Sequence, residues 1–311
     1  MAAVTPADTA AVALPAGASL DGLATSRSGI AAELTAALAA RDKARVVAGL
    51  GSFASMESDA QRVRCMEEGA GVATRDALAA FSDDVEVARV GCRALASLAE
   101  ADDNQVPLVR DGAHVMVMAA ARAHAGDVEV ARYACTVLWN LAYATANKVP
   151  LARDGAHTAV MAAARAHAGD VEVAQNTCTA MWHLAVAVDN CVPLVRDGAH
   201  TAVMAAVRAH AGDVEVARHV CGVLVNLAVA ADNQVQLVRD GAHTTVMAAA
   251  RAHAGDVEVM RDACDTLVNL AATADCRDRL ARAGVREFAE FVSALHPDDT
   301  EVQHYCRRLD L

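Results

Sequence analysis

A repeat of 43 residues constrains the fold of this sequence more than any other feature. The dipeptide Asp-Gly recurs at this interval at 111, 154, 197 and 240, and an asparagine keeps the same step at 104, 147, 190 and 233. Weaker copies flank these four on both sides. A period of this length indicates a solenoid, in which each unit buries its apolar surface against its neighbours. We therefore expect one elongated array.

The period divides the chain into successive units. Residues 1–24 contain proline and glycine, and we expect them to form a poorly ordered N-terminal tail. The array is expected to occupy residues 25–311, beginning with a degenerate repeat at 25–60 and ending in a truncated C-terminal cap at 276–311. Between them lie five repeats, at 61–103, 104–146, 147–189, 190–232 and 233–275.

The composition, which is rich in alanine and leucine and only 3% aromatic, favours helix. Start and stop signals divide each period into three helices. In the first helix, Asn104 is a favoured N-cap, Pro107 falls in the opening turn and Gly112 suits the C′ position. The second helix is expected from about Ala113 to Ala125. Asp127 then caps a third helix, in which an apolar stripe repeats at helical spacing through Val130, Ala134, Leu138 and Leu141.

Three stretches of the sequence resemble the armadillo repeat family. They are NQVPLVRDG at 104–112, DVEVARYACTVLWNLA at 127–142 and HPDDTEVQ at 296–303. The resemblance implies an all-α, armadillo-type α-solenoid, a right-handed superhelix of three-helix repeats. It further implies that the third helices line a concave groove, in which members of this family usually hold an extended peptide.

Family members use an asparagine near the end of the third helix to hold the peptide backbone. Stacked helices lie ~8–10 Å apart and an extended chain rises ~3.3 Å per residue, so one amide per repeat meets about every third peptide residue. Alternatively, these side chains only bond neighbouring helices. The matching positions here, which we call the ladder residues, are Ser97, Asn140, His183, Asn226 and Asn269.

Importin-α, a transport adaptor of this family, carries tryptophan four residues before each such asparagine, and this chain does not. The residues at those positions are Arg93, Thr136, Thr179, Gly222 and Asp265. The chain also lacks the basic N-terminal segment that importin-α uses. The resemblance therefore disfavours a nuclear-import adaptor, although Thr136 and Thr179 remain candidate groove residues.

A row of mostly arginine side chains is predicted one turn earlier on the same helix face. Its members are Arg89, Arg132, Gln175, Arg218 and Arg261, and four glutamates stand three residues before the arginines, at 86, 129, 215 and 258. The row could grip acidic side chains of a partner. We favour the alternative, in which each arginine pairs locally with its glutamate.

Aromatic residues are scarce but concentrated in two adjacent repeats. Trp139 and Trp182 directly precede ladder positions, and Tyr143 lies one turn beyond Asn140. Tryptophan and tyrosine are enriched in interface hot spots, but they could equally fill gaps between small alanine side chains. We place the centre of the binding surface here.

The recurring cysteines and histidines are expected to be structural. Cys92, Cys135 and their equivalents fall beside buried alanines and are too far apart for disulfides. The two histidines within each second helix are ~15 Å apart, too far to share a metal ion. No phosphate-binding loop, zinc motif or catalytic triad is recognisable. We predict no cofactor, no metal and no enzymatic activity.

The net charge of −12 at pH 7 opposes nucleic-acid binding and favours neutral or basic protein partners. No stretch is apolar enough to span a membrane, and no basic secretory signal is present, so we expect a cytoplasmic or nuclear protein. The sequence predicts a protein-interaction scaffold that binds an extended peptide segment. Two alternatives remain open, a transport-type adaptor that recognises a targeting peptide and a structural spacer that binds through its convex face.

Overall fold

The computed structural model describes residues 29–309, and within this range every regular element is helical. The all-α solenoid predicted from the repeat is therefore confirmed. The expected tail at 1–24 and the first residues of the degenerate repeat lie outside the described range. No helix in residues 29–309 is both long and apolar enough to cross a membrane.

The helices form three rows that run along the stack. The first helices are α3 (Asp59–Glu67), α6 (Asp102–Arg110), α9 (Thr145–Arg153), α12 (Val188–Arg196), α15 (Ala231–Arg239) and α18 (Ala274–Arg282). The second helices are α1 (Ile30–Ala39), α4 (Ala70–Ala80), α7 (Ala113–Ala123), α10 (Ala156–Ala166), α13 (Ala199–Ala209), α16 (Ala242–Ala252) and α19 (Val285–Leu295). The third helices are α2 (Lys43–Ala54), α5 (Val85–Ala99), α8 (Val128–Tyr143), α11 (Val171–Ala185), α14 (Val214–Val229), α17 (Val257–Leu270) and α20 (Thr300–Arg308).

Contacts between helices follow these rows. The two helices of the degenerate repeat occupy second and third positions, because α1 packs on α4 and α2 packs on α5. Consecutive third helices contact one another much more extensively than consecutive second helices do. The third helices therefore form the most extensively packed row of the stack. We call the accessible side of α5, α8, α11, α14 and α17 the third-helix surface.

Two local signals set the helix boundaries. Gly112 adopts φ +79° just after α6, a left-handed conformation that an L side chain rarely adopts, and this confirms it as the C′ residue. The Asp127 carboxylate accepts a hydrogen bond from the Val130 backbone N–H at 3.0 Å, which confirms the predicted cap of the third helix. The same two devices recur along the array, so each repeat turns in the same way.

The predicted start of the first helix was wrong. α6 begins at Asp102, so Asn104 lies inside the first turn and Pro107 lies in the second turn. Asn104 is buried and its Nδ2 donates to the Leu98 carbonyl at 2.8 Å. This amide satisfies an unpaired carbonyl at the end of the third helix of the preceding repeat, a task that competes with capping.

The equivalent asparagines also join neighbouring repeats. Asn190 donates to the Leu184 carbonyl at 2.8 Å and to the Lys148 carbonyl, in the first helix of the preceding repeat, at 3.0 Å. Asn147 and Asn233 make the same pair of bonds. A series of buried asparagine amides, the first-helix asparagines, therefore runs along the first-helix row and holds successive repeats in register.

The apolar core follows the predicted stripe. Val130, Ala134, Leu138 and Leu141 are all buried, as the helical spacing of the sequence predicts. The second helix of the same repeat ends at Ala123, two residues earlier than expected. The cysteines between residues 29 and 309 are all buried, in agreement with their interpretation as small apolar side chains.

The repeated histidines make contacts between repeats. Nε2 of His200 lies 2.8 Å from the Asp240 carboxylate of the next repeat, and His114 and His157 reach Asp154 and Asp197 in the same way. At the other end of the second helix, His210 Nε2 lies 3.0 Å from the Ala168 carbonyl of the preceding repeat. Among residues 29–309 no group of His, Cys, Asp and Glu side chains is arranged to hold a metal ion.

Candidate peptide-binding groove

The arginine row of the third-helix surface is engaged in ion pairs between repeats. Arg132 Nη2 lies 2.6 Å from the Asp170 carboxylate, and its Nε lies 3.2 Å from Glu172. Gln175 replaces arginine in the next repeat and donates to Asp213 at 3.0 Å. The same arrangement joins Arg89 to Asp127, Arg218 to Asp256 and Arg261 to Asp299.

The predicted local pairing of these arginines with the glutamates three residues before them was largely wrong. Only Arg218 makes such a contact, with Glu215 at 2.5 Å. Stacking brings the capping aspartate of the next third helix close to each arginine, and this carboxylate already points along the row. Hydrogen bonding from Arg132 lowers the pKa of Asp170. A bound segment would therefore have to share these guanidinium groups with carboxylates of the chain itself.

The ladder residues differ from one another in accessibility and in partners. Asn140 is only 4% exposed, and its Nδ2 lies 3.4 Å from the Ala96 carbonyl of the neighbouring third helix. Asn269 is half-buried and donates to the Asp265 carboxylate at 3.4 Å. The side chain of Asn226 is half-buried and makes no hydrogen bond to any residue from 29 to 309. Asn226 is thus the ladder amide best placed to accept a ligand.

The two predicted threonines bond within the third helices. Thr136 donates to the Arg132 carbonyl at 3.0 Å, and Thr179 donates to the Gln175 carbonyl at 2.8 Å. The Thr136 hydroxyl also accepts a hydrogen bond from Asn176 Nδ2 at 3.0 Å. Their hydroxyl protons are consequently used inside the protein, and only their remaining surface faces the groove.

An aromatic cluster occupies the centre of the third-helix surface, where the sequence predicts it. The ring centroid of His183 lies 6.3 Å from Trp139, 5.5 Å from Tyr143 and 4.9 Å from Trp182. Trp182 also contacts His219 of the next repeat at 6.0 Å. Tyr143 is 56% exposed and Trp182 is 37% exposed. The cluster therefore packs against its neighbours and also presents apolar surface to solvent.

His183 is a neutral polar group inside this cluster. It is 8% exposed and makes no hydrogen bond within the described part of the chain. Burial lowers its pKa to about 4, and the charge of Lys148 acts in the same direction. Lys148 is itself buried and donates to the Ala142 carbonyl at 2.9 Å. At neutral pH the imidazole can therefore both donate and accept one hydrogen bond.

Sequence reasoning missed an acidic region beside the aromatic cluster. Asp262 on α17 is half-buried, and burial raises its pKa to about 7, assisted by the negative charges of Glu258, Asp265 and Glu301. The pKa of Asp265 is raised as well, mainly by burial. Asp262 directly follows Arg261 of the arginine row, just as Asn176 and His219 follow their row members. The repeat register therefore could have predicted its place on the third helix.

Comparison with known proteins agrees with this architecture. The family model of the LRRK2 ARM repeat matches residues 36–210, more than half of the chain. A crystal structure of an engineered protein from the Northeast Structural Genomics Consortium is 20% identical, with a TM-score of 0.65 over 78% of this chain and 95% of that one.

A second solved structure comes from work on a phosphorylation switch that controls the interaction between cadherin and β-catenin. It is 14% identical, with a TM-score of 0.41 over 93% of this chain and 76% of that one. No curated protein has a sequence that matches this chain significantly.

Proposed function

Because the chain belongs to the ARM repeat family, we propose that it is a protein-interaction scaffold that holds an extended segment of a partner on its third-helix surface. Proteins of this family are generally scaffolds and not enzymes. The fold alone does not select a partner, because one architecture serves many. The proposal therefore depends on the residues of the third-helix surface.

One observation carries the proposal: exposed aromatic rings and unpartnered polar groups meet on the third-helix surface. Tyr143 and Trp182 expose large apolar areas, while His183 and Asn226 lack hydrogen-bond partners among residues 29–309. Their polar atoms remain open to solvent, and the main chain of a bound segment would supply both donors and acceptors. Adjacent aromatic side chains would anchor that segment.

The proposal is tested with a variant that removes three accessible groups of this surface, Tyr143→Ala, Trp182→Ala and Asn226→Ala. Its matched control carries three exposed substitutions on the second helices, Thr158→Ala, Thr201→Ala and Thr244→Ala. Both variants are first checked for helical content by circular dichroism. Partners captured quantitatively from lysate are then compared with those of the wild type, and tiled peptides of any captured protein are measured for direct binding.

We expect the groove variant to lose a partner that the control retains, and a tiled peptide of this partner to bind only wild type and control. Partners retained at full strength by both variants would contradict the proposal. The reverse pattern, with loss only in the control, would instead support the structural spacer.

A specific feature favours the spacer as the second candidate. Clefts in which alanine is the commonest lining residue lie between neighbouring second helices and recur at the repeat interval, with volumes of about 130, 200 and 370 Å³. The first two have equivalent linings, around Ala121 and Ala163 in one and Ala164 and Ala206 in the other. Regular apolar clefts of this kind suit a repetitive partner surface.

A further inference from the structure

A glycine on the third-helix surface brings an indole and a carboxylate together. A Cβ atom placed on Gly222 would lie 2.9 Å from Trp182 Nε1 and 3.3 Å from Asp262 Oδ2. The three residues come from three successive third helices, α11, α14 and α17. Any larger residue at 222 would push the indole or the carboxylate aside. We call the surface formed by the Trp182 ring and the Asp262 carboxylate, which meet beside Gly222, the Trp182–Asp262 niche.

The polar groups of this niche have no partner inside the protein. Within residues 29–309 the Asp262 carboxylate forms no ion pair and accepts no hydrogen bond, and Trp182 Nε1 donates none. The capping aspartates of the same row behave differently, since Asp256 is bound by Arg218 at 2.5 Å. Asp262 therefore stands out as a half-buried acid that the fold does not use.

The charged groups around Asp262 favour the binding of a cation. Glu258 and Asp265 on its own helix and Glu301 on α20 all add negative charge at its carboxylate. Arg218 pairs with Asp256 and Glu258, and Arg261 pairs with Asp299 and Glu301, so neither arginine neutralises Asp262 itself. His219 contributes no positive charge at neutral pH, because burial lowers its pKa.

An independent observation on the other side of Trp182 also points to a ligand. His183 is more than nine-tenths buried, packs against the Trp182 ring at 4.9 Å and has no hydrogen-bond partner in the described structure. Its neutral imidazole suits a peptide group. A segment that passes over Trp182 would thus meet a backbone-binding group first and a carboxylate next.

We propose that the Trp182–Asp262 niche receives a lysine or arginine side chain of the segment bound on the third-helix surface, an inference that rests on the function proposed above. The indole face attracts a cation through its π electrons, and the carboxylate accepts a charge-assisted hydrogen bond from the ammonium or guanidinium group. Pairing of this kind also removes the cost of a half-buried, unpaired acid.

The experiment uses the full chain and a positional nonapeptide library in which each position is fixed in turn as Lys, Arg, citrulline, Leu or Glu. Citrulline has the shape of arginine without its charge, so it isolates the contribution of the cation. Wild type is compared with Asp262→Asn, which keeps the shape of the side chain. The matched control is Asp278→Asn, because Asp278 is an exposed acid on α18 and its loss changes the net charge equally.

Wild type and Asp278→Asn should prefer Lys or Arg over citrulline at one position by ~10-fold, the usual size of a hydrogen bond to a charged group. Asp262→Asn should lose this preference and keep its binding to the remaining peptides. Binding without any charge preference would overturn the inference and leave the scaffold proposal intact. A preference that persists in Asp262→Asn would also overturn the inference alone. No binding of any library peptide by wild type would overturn both.

A second measurement follows the niche directly. The chain contains two tryptophans, so its indole N–H region holds two NMR signals, which single Trp→Phe variants assign. A selected peptide should shift the Trp182 signal more in its lysine form than in a form with norleucine at the same position. Equal shifts with both forms would place the basic side chain elsewhere.

Discussion

The second and third helices of this array stack in the same order, yet their sequences differ from repeat to repeat to very different extents. α10 and α13 differ at a single position, where Ala164 is replaced by Val207. α8 and α11 differ at six of their first fifteen positions. Some of these differences lie on the third-helix surface, as where Gln175 replaces Arg132, and others lie in the core, as where Met181 replaces Leu138. The third helices therefore differ between repeats in both their packing and their surface, whereas the second helices are nearly constant.

The two rows also differ in how their polar groups are used. On the second helices, His114, His157 and His200 each reach an aspartate of the next repeat. On the third-helix surface, Asn226 and Asp262 are left without partners in the described chain. Nε2 of each of these histidines is bonded between repeats, although its buried Nδ1 has no partner within residues 29–309. Asn226 and Asp262, in contrast, leave all of their side-chain polar atoms unbonded in the described residues.

The largest expected effect concerns an amide that joins repeats. Asn190→Ala should lower the free energy of unfolding by about 2–3 kcal/mol, because two buried carbonyls lose their donor. Urea denaturation followed by circular dichroism measures the change. A loss below ~0.5 kcal/mol would show that the first-helix asparagines do not hold the repeats together.

The next effect concerns a helix cap. Asp170→Ala should destabilise the chain by about 1–2 kcal/mol, because α11 loses the acceptor for its Val173 N–H and Arg132 loses the closer of its two carboxylate partners. Glu172→Ala is the control, since this exposed residue contributes only a peripheral ion pair. Equal unfolding midpoints for the two variants would contradict the role of the cap.

Asp262 should make stability depend on pH in the opposite direction to the capping aspartates. Its folded pKa of about 7 lies above the ordinary 3.8, so ionisation penalises the folded state as pH rises from about 4 to 7. Asp262→Asn should therefore be more stable than wild type by about 1 kcal/mol at pH 8, after allowance for partial exposure, and nearly equal to it at pH 4. Unfolding midpoints at the two pH values test this, with Asp278→Asn showing no such difference.

The smallest expected effect on stability is that of a ladder residue. Asn226→Ala should change the free energy of unfolding by less than ~0.5 kcal/mol, because the side chain bonds to no described residue. The same substitution should weaken binding of a captured partner by ~5–10-fold, the loss of one hydrogen bond. Marked destabilisation with unchanged binding would assign Asn226 to the scaffold.

The repeat period was sufficient to predict the three-helix solenoid, because each helix carries its own start, stop and apolar stripe. Local signals such as Asp127 and Gly112 were read correctly for the same reason. The partner of Arg132 was not predicted correctly, since Asp170 lies 38 residues away and becomes a neighbour only when repeats stack. The prediction that Asn104 caps the first helix failed for the same reason, because its buried hydrogen bond to the preceding repeat is a property of packing.

The candidate site was predicted in part. The sequence predicted that Trp139, Tyr143 and Trp182 lie near one another, because helical spacing and the repeat register define which side chains share a face, whereas the contacts of His183 with these rings appeared only in the structure. It did not reveal the Trp182–Asp262 niche. The approach of these two residues depends on the absence of a side chain at Gly222, and such a gap has no one-dimensional signature.

The row of buried cysteines makes local opening of the array measurable by chemical labelling. Burial raises the pKa of Cys92, Cys135 and Cys178 to about 12, so these thiols carry almost no thiolate and are shielded from alkylating reagents in the closed stack. A repeat that opens transiently exposes its own thiol. Since neighbouring repeats hold one cysteine each at this position, the rate at which each becomes labelled would read out local opening along the solenoid, repeat by repeat.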